Sequence, residues 1–385
     1  MKPEGKINWR KEKRKYKAQR EEKLLKEREL ALAEKAHNDH YLDSTPSCSS
    51  TGQVVSVAGN DGSSLSIRPA GRAWTVSIAL PGSVFANAQS LELKAYLAGQ
   101  IGRAAAIYNV DEIIIFDEQA RLTQDEIAAG DKSDPNLHLA HLLEYLECPQ
   151  YLRKSLFPLS PALRYAGLMN PLDAPHHLRA TDLTCPYREA VILNKQGKFG
   201  SLAYGGLRRE ISTDRHLTPN LRVTLKFKTD LIAPPSSKTG LGAPSELPKK
   251  LRASIVSPDL PRTEGGLYWG YRVRLASCLS AVFQNCPFGP DSNYDLTVGT
   301  SERGAPLKSV GKLKFKHLLV VFGGLQGLEA CAENDEQIPP GPIENRFDVY
   351  VNTCPGQGSR TIRTEEAILI SLCALQRKFR PLVGE

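Results

Sequence analysis

The sequence is poor in the features that assign a chain quickly. Among 385 residues there are only 2 Met and 3 Trp, and aromatic residues make up 7%. No uninterrupted apolar stretch reaches the ~18 residues that would mark a transmembrane helix, so no membrane association is expected. The N-terminus lacks the apolar core of a secretory signal. The 8 cysteines form no CxxC pair and do not cluster with histidines at metal-ligand spacing, so no metal is expected. They read as reduced, mostly buried thiols of a cytosolic or nuclear protein. The usual cofactor motifs are missing too. There is no GxxxxGK[ST] phosphate loop, no GxSxG nucleophile elbow and no HExxH. The GxGxxG pattern fails because Gly356 and Gly358 are followed by Ser359, Arg360 and Thr361. Spacing alone rejects the common cofactor classes and names no other.

What is present is ordinary globular composition, with 41% hydrophobic and 24% charged residues, and a lopsided charge. The formal net charge is +8, and residues 1–37 hold 13 Lys/Arg against 7 Asp/Glu. That tail is rich in helix formers and reads as a solvated, partly helical extension. The same charge also suits an RNA-attracting or nuclear-targeting arm. Residues 42–72 are Ser/Gly/Asn-rich and read as a flexible linker, with a short strand near Val54–Val57.

The folded part is expected from Ala73. "TVSIAL" (75–80) reads as a buried strand. A helix follows, with Leu93, Leu97, Ile101, Ala104 and Tyr108 on one stripe. "DEIIIFD" then gives a continuous apolar run suited to a strand covered on both faces. Strand, helix and strand make a βαβ unit, and another helix is predicted over 137–146. In the second half, "YDLTVGTSERG", "HLLVVFGGLQGLE" and "FDVYVNTCPGQG" each read as a buried strand ending at a polar or Gly-bearing loop. Such loops at the carboxyl ends of parallel strands are where an open α/β sheet binds ligands. Between the halves, "REAVILN", "FGSLAYGG", "LRVTLKFK" and "RASIVS" are short strands separated by turns, with a Pro/Gly/Ser loop at 232–250. They predict a small inserted β-barrel of OB type, a class that often binds nucleic acid.

Three stretches carry a resemblance. "LAGQIGRAAAIYNVDEIIIFD", "LLVVFGGLQGLE" and "VYVNTCPGQGSRTIRTEEAILISLCAL" resemble, in order, the three motifs of SPOUT-class RNA methyltransferases. Together with "ECPQYLRK", "NPLDAPHHLR", "GLYWGYRVRLASCLSAVF" and "LTVGTSERG", they make the chain, over about 74–380, similar to a eukaryotic SPOUT-domain RNA methyltransferase family that has a centromere- and spindle-associated member. The resemblance implies an α/β trefoil-knot domain with a mostly parallel sheet, interrupted by an OB-like barrel. The expected divisions are 1–72 for the basic tail and linker, 73–182 for the first half of the knot domain, 183–262 for the barrel, and 263–381 for the second half with the cofactor-binding knot. It further implies S-adenosyl-L-methionine as cofactor, ribosomal RNA as substrate with uridine N3 as a candidate atom, and a homodimer through the knot. A nuclear or nucleolar location follows, with cytoplasm and mitotic spindle or centromere as further sites. A non-catalytic RNA-binding or spindle scaffold is the alternative.

On the family's pattern, Arg303, Gly323, Asn352 and Thr353 contact the cofactor and Gly358 keeps the turn tight. Arg303 would face the cofactor carboxylate. Arg103 matches the arginine of the first motif and would orient the target base or a phosphate. Thr364 is expected to cap the last helix, with Glu365 and Glu366 in its first turn and Ile368, Leu372 and Leu375 buried. His176 and His177 are expected in a structured loop near the substrate, pointing apart and binding no metal. Cys354 reads as a packed thiol, and Tyr268, Trp269 and Tyr271 as core.

Overall fold

The computed structural model describes residues 71–197, 199–228, 251–288, 292–339 and 341–382. The predicted tail, nearly all of the linker with its Val54–Val57 strand, and the 232–250 loop lie outside these residues.

The first strand, β1 (Thr75–Pro81), is buried at all seven positions, as its apolar run requires. Helix α1 (Leu91–Ile107) starts where the Ser90 hydroxyl accepts the Leu93 N–H, one of the bonds that satisfy a free helix end. Its buried face is Ala95, Leu97, Ala98, Ile101, Ala104 and Ala105, while Leu93 is 53% exposed. The stripe is thus rotated from the predicted one, because alanines let α1 lie close to its neighbours. Strand β2 (Glu112–Phe116) is fully buried. Helix α2 (Pro135–Glu147) opens on Pro135 at its first turn and an Asp134 carboxylate that accepts two backbone N–H groups. The short helix α3 spans Gln150–Leu156.

The chain then leaves for the barrel: β3 (Tyr187–Gln196), β4 (Ser201–Tyr204), β5 (Ile211–Ser212), β6 (Arg222–Phe227) and β7 (Leu251–Val256). These five close in the order β3-β4-β5-β7-β6. Only the β5–β7 pair is parallel. Ala190, Ile192, Ala203, Ile211 and Leu225 fill the interior. The predicted barrel is therefore present.

Beyond it come β8 (Arg272–Ala276), β9 (Leu296–Pro306), β10 (Leu313–Phe315), β11 (His317–Phe322), helix α4 (Gly327–Glu333), β12 (Val349–Asn352), helix α5 (Thr364–Gln376) and β13 (Phe379–Pro381). Six strands form one sheet in the order β12-β9-β11-β1-β2-β8, and every pairing in it is parallel. A parallel sheet needs cover on both faces, and the alternation of side chains supplies it. Ile78, Ile113, Ile115, Leu318 and Val320 face a core shared with α1, α2 and α5. Ala79, Ile114, Phe116, Leu319 and Val321 face a smaller one with Leu328, Cys331 and Phe347. The last helix buries Ile368, Leu372 and Leu375 as expected.

One strand departs from the reading. β9 does not stop at "TSERG". Gly299 pairs with Tyr350 of β12 and the next pair is Ala305 with Val351, so Thr300–Gly304 bulges out of that ladder while the strand continues to Pro306. No described helix is long and apolar enough to cross a membrane.

Candidate active site

The bulge within β9 meets the loop after β11 and the turn after β12, which leave the carboxyl ends of their strands. They enclose a cleft of about 540 Å³, within the size range of small-molecule sites. Arg303, Gly323, Asn352 and Thr353 all line it, from three separate segments.

Each segment is fixed by the others. The Asn352 side chain donates to the Glu302 carbonyl at 2.8 Å and accepts the Cys354 N–H at 2.9 Å, tying turn to bulge. The Thr353 and Ser371 hydroxyls bond at 2.8 Å, tying the turn to α5. Thr364 was expected to cap α5. It is instead the first residue of that helix, and its hydroxyl donates to the Gly323 carbonyl at 3.0 Å. The Glu366 carboxylate accepts the Arg363 N–H at the helix start. Gly327 has φ +85°, a left-handed conformation that favours glycine. A Cβ on Gly323 would sit 2.9 Å from the backbone of Gly327 and Leu328. Gly323 therefore serves the tight fold of its own loop; the room it leaves is taken by protein.

Two charged side chains stand on the wall between this cleft and a neighbouring hollow of about 1110 Å³. Arg303, 74% exposed, holds Glu329 of α4 at 3.4 Å. Tyr350 also approaches that carboxylate, at 3.5 Å. Glu329 escaped the sequence reading although it ends the quoted stretch "LLVVFGGLQGLE"; a glutamate near a helix start is common for dipole reasons alone. Cys354 lines the cleft with no base bonded to it among the described contacts.

Two predicted residues are not brought into the cleft. Gly358 lies in the following loop, has no left-handed φ, and a Cβ there would meet nothing. Its backbone does not need glycine. Arg103, on α1, spends its guanidinium on the Leu172 carbonyl at 2.6 Å, with Pro171 at 3.5 Å.

The histidines overturn their expectation. His176 and His177 converge: both Nε2 atoms bond the Glu147 carbonyl, at 3.0 and 2.7 Å. His176 also meets the Glu147 carboxylate at 2.8 Å. They sit beside a second cavity of about 590 Å³ between the barrel and the amino ends of β2 and β8. There Arg222 of the barrel bridges Glu147 and Glu189, at 2.6 and 2.7 Å. Trp269 and Thr224 donate to the other oxygen of Glu189. Burial alone would raise the Glu147 carboxyl; Arg222 and His176 outweigh it and hold it well below the ordinary carboxylate range. His177 is pushed down to about 4 by burial and by His176. These charges are paired with one another, so this end reads as a clasp between barrel and sheet. No group of His, Cys, Asp and Glu among the described residues could hold a metal. Trp269 and Tyr271 are core and Tyr268 is half-buried against it, their polar atoms bonded to Glu189, Leu143 and Val110. The seven described cysteines are free.

The chain matches the family model described as "Putative RNA methyltransferase" over residues 75–375, from the first residue of β1 into the last turn of α5. It is 51% identical over 312 residues to a Homo sapiens protein named 28S rRNA (uridine-N(3))-methyltransferase, covering 80% of this chain and 79% of that protein. A Mus musculus protein of the same name is 50% identical over 312 residues, 80% and 77% of the two chains. A Caenorhabditis elegans protein named "Putative methyltransferase spot-1" is 37% identical over 394 residues, covering 97% of this chain and 91% of that one. The chain belongs to this RNA methyltransferase family.

Proposed function

We propose that the protein transfers a methyl group from S-adenosyl-L-methionine to N3 of a uridine in ribosomal RNA. The observation that carries this reading is the convergence of two strand-end loops and the β9 bulge on one cleft in a chain about half identical to proteins named for that reaction.

The residues present suit the cofactor. Leu325 and Ile362 offer apolar surface for the adenine, and the loop from Gly323 to Gly327 offers backbone groups. Arg303 takes the carboxylate of the methionine end, while Asn352 and Thr353 position the turn against it. When bound, the cofactor supplies an electrophilic methyl on a sulfonium. The cleft then acts mainly by holding N3 close to that carbon, an effect worth up to roughly 7–11 kcal/mol. N3 must give up its proton. Glu302 is exposed, whereas Glu329 is half-buried in the wall of the cleft beside Tyr350; Glu329 is our candidate acceptor.

The same reading includes the knot and the homodimer. After edge strand β12 the chain returns to pack α5 beside α1 over the middle of the sheet, the crossing a knot would need. Leu93, Tyr96 and Ile107 of α1 and Leu369 of α5 are all between 43% and 53% exposed, an apolar face that a second copy would cover. Arg103 shares the helical stripe of Leu93, Tyr96 and Ile107, so its catalytic role rests on that dimer. The proposed workplace is the nucleus or nucleolus.

Isothermal titration tests the cofactor assignment. S-adenosylmethionine and its demethylated product should both bind the purified chain, one per protomer. Absence of heat with either would remove the reading.

A further inference from the structure

The barrel carries a surface that the cleft does not use. Numbered within the barrel, its strands run 1-2-3-5-4, with 3 and 5 parallel. In five-stranded barrels of the OB class, oligonucleotides cross the face of strands 2–3 and the loop joining strands 1 and 2. Here those are β4, β5 and the hairpin tip that carries Phe199 and Gly200.

Phe199 stands on that tip, 56% exposed, and is not among the side chains of the barrel core. The Arg252 guanidinium lies 4.9 Å from its ring centroid. Arg252 is placed there by the β5–β7 register, opposite Ser212. The Ser201 N–H bonds the Arg215 carbonyl at 2.9 Å, which folds the loop bearing exposed Arg215 against the same hairpin. Arg215 is paired only loosely, with Asp214 at 4.0 Å. Arg208 and Arg209 are exposed in the loop joining β4 to β5. Among the described residues from 194 to 216, with Arg252, the exposed charges are Lys195, Arg208, Arg209, Arg215 and Arg252 against Glu210 and Asp214. A half-exposed ring under a guanidinium, with Arg215 on the adjoining loop and Arg208 and Arg209 beyond the far end of β4, is the chemistry that stacks an unpaired base and tracks its phosphates.

We propose that this face holds a single-stranded segment of the RNA substrate, with a base stacked on the Phe199–Arg252 pair and phosphates on Arg215 and the Arg208–Arg209 loop. It rests on the reading of the chain as an RNA-acting enzyme.

The test uses the full chain and a fluorescein-labelled single-stranded RNA of about 16 nucleotides, the upper site size for one such barrel. Anisotropy gives Kd across a salt series. Phe199→Ala should weaken binding by about 5- to 150-fold, the range for losing one base–aromatic stack. Arg215→Glu and Arg252→Glu should each lower the slope of log K against log salt by about 0.7 or more. Lys308→Glu, outside the barrel, changes net charge equally and should leave the slope nearly unchanged. Melting temperatures and affinity for the demethylated cofactor should match wild type throughout. If wild type methylates ribosomal RNA while all three barrel variants bind the probe as wild type does, the face is wrong and the enzyme reading stands. If Phe199→Ala weakens binding but wild type transfers no methyl group to any ribosomal RNA, the face stands and the enzyme reading falls.

Discussion

Replacing Arg222 with Met strips the clasp between barrel and sheet of the cation that bridges two buried carboxylates. Glu147 and Glu189 keep 8% and 4% of their side-chain surface exposed, so neither is solvated once Arg222 is gone. Removing one partner of a buried ion pair costs roughly 3–5 kcal/mol. Arg222 itself is 31% exposed, which places the expected loss near the lower end, about 3 kcal/mol. The pH dependence has a definite sign. In the wild type, the Glu147 carboxyl is held low, so its contribution is present above its unfolded pKa of about 4.3 and is lost only as pH falls through the depressed folded value. Without Arg222, His176 alone opposes burial, and the carboxyl moves upward from its wild-type value. The variant's penalty is then largest above that raised value and shrinks as pH falls through it. Urea unfolding followed by tryptophan fluorescence reads this directly, because the Trp269 indole donates to Glu189 at 2.7 Å. The stability gap between wild type and variant should be widest near pH 8 and narrower near pH 5. Adding Glu147→Gln should recover part of it, since the stranded charge is removed. A gap below about 1 kcal/mol, the value of an exposed pair, or one that does not vary with pH, would refute the clasp.

The other expectations concern the cleft. Arg303→Ala should weaken binding of the demethylated cofactor by about 1–3 kcal/mol in calorimetry, for one charge-assisted hydrogen bond; the weak exposed contact to Glu329 that it also loses should cost almost no stability. Arg103→Ala should leave that affinity intact and cut methyl transfer, as measured with tritiated cofactor; unchanged transfer would exclude it from catalysis. Gly323→Ala should lower both the melting temperature and cofactor affinity, because its Cβ meets backbone at 2.9 Å, while Gly358→Ala should change stability by no more than about 0.5 kcal/mol. Glu329→Gln should lower kcat at neutral pH with little change in product affinity; an affinity loss equal to the rate loss would make Glu329 a cofactor ligand and not the proton acceptor.

Much of the architecture was legible because its signals are local. The run "EIIIF" is a strand that alternates between two covers, and nothing but a sheet buried on both faces asks for that. The barrel was legible from its short strands and turns, and the β11 and β12 loops from glycine and asparagine at the ends of apolar runs. What was hidden depends on partners far along the chain. β9 reads as ending at the polar turn of "YDLTVGTSERG", yet Val351 and Asn352 of β12 pick it up again at Ala305 and Pro306. Thr364 looks like a cap until Gly323, 41 residues earlier, supplies its partner. His176 and His177 converge only because the last turn of α2 presents the Glu147 carbonyl and carboxylate between them. Arg222 reaches Glu147 across 75 residues, which no local pattern records. Gly358 misled for the opposite reason: glycine in a Gly-rich turn suggests need, and the backbone there has none.

The most direct measurement of the central claim is methyl transfer to ribosomal RNA taken from cells lacking the protein. The RNA is incubated with purified chain and tritiated S-adenosylmethionine, digested to nucleosides and separated. The label should co-elute with 3-methyluridine, and RNA from normal cells, already methylated, should accept little. Label in any other nucleoside, or none with free RNA and with ribosomal subunits alike, would contradict it.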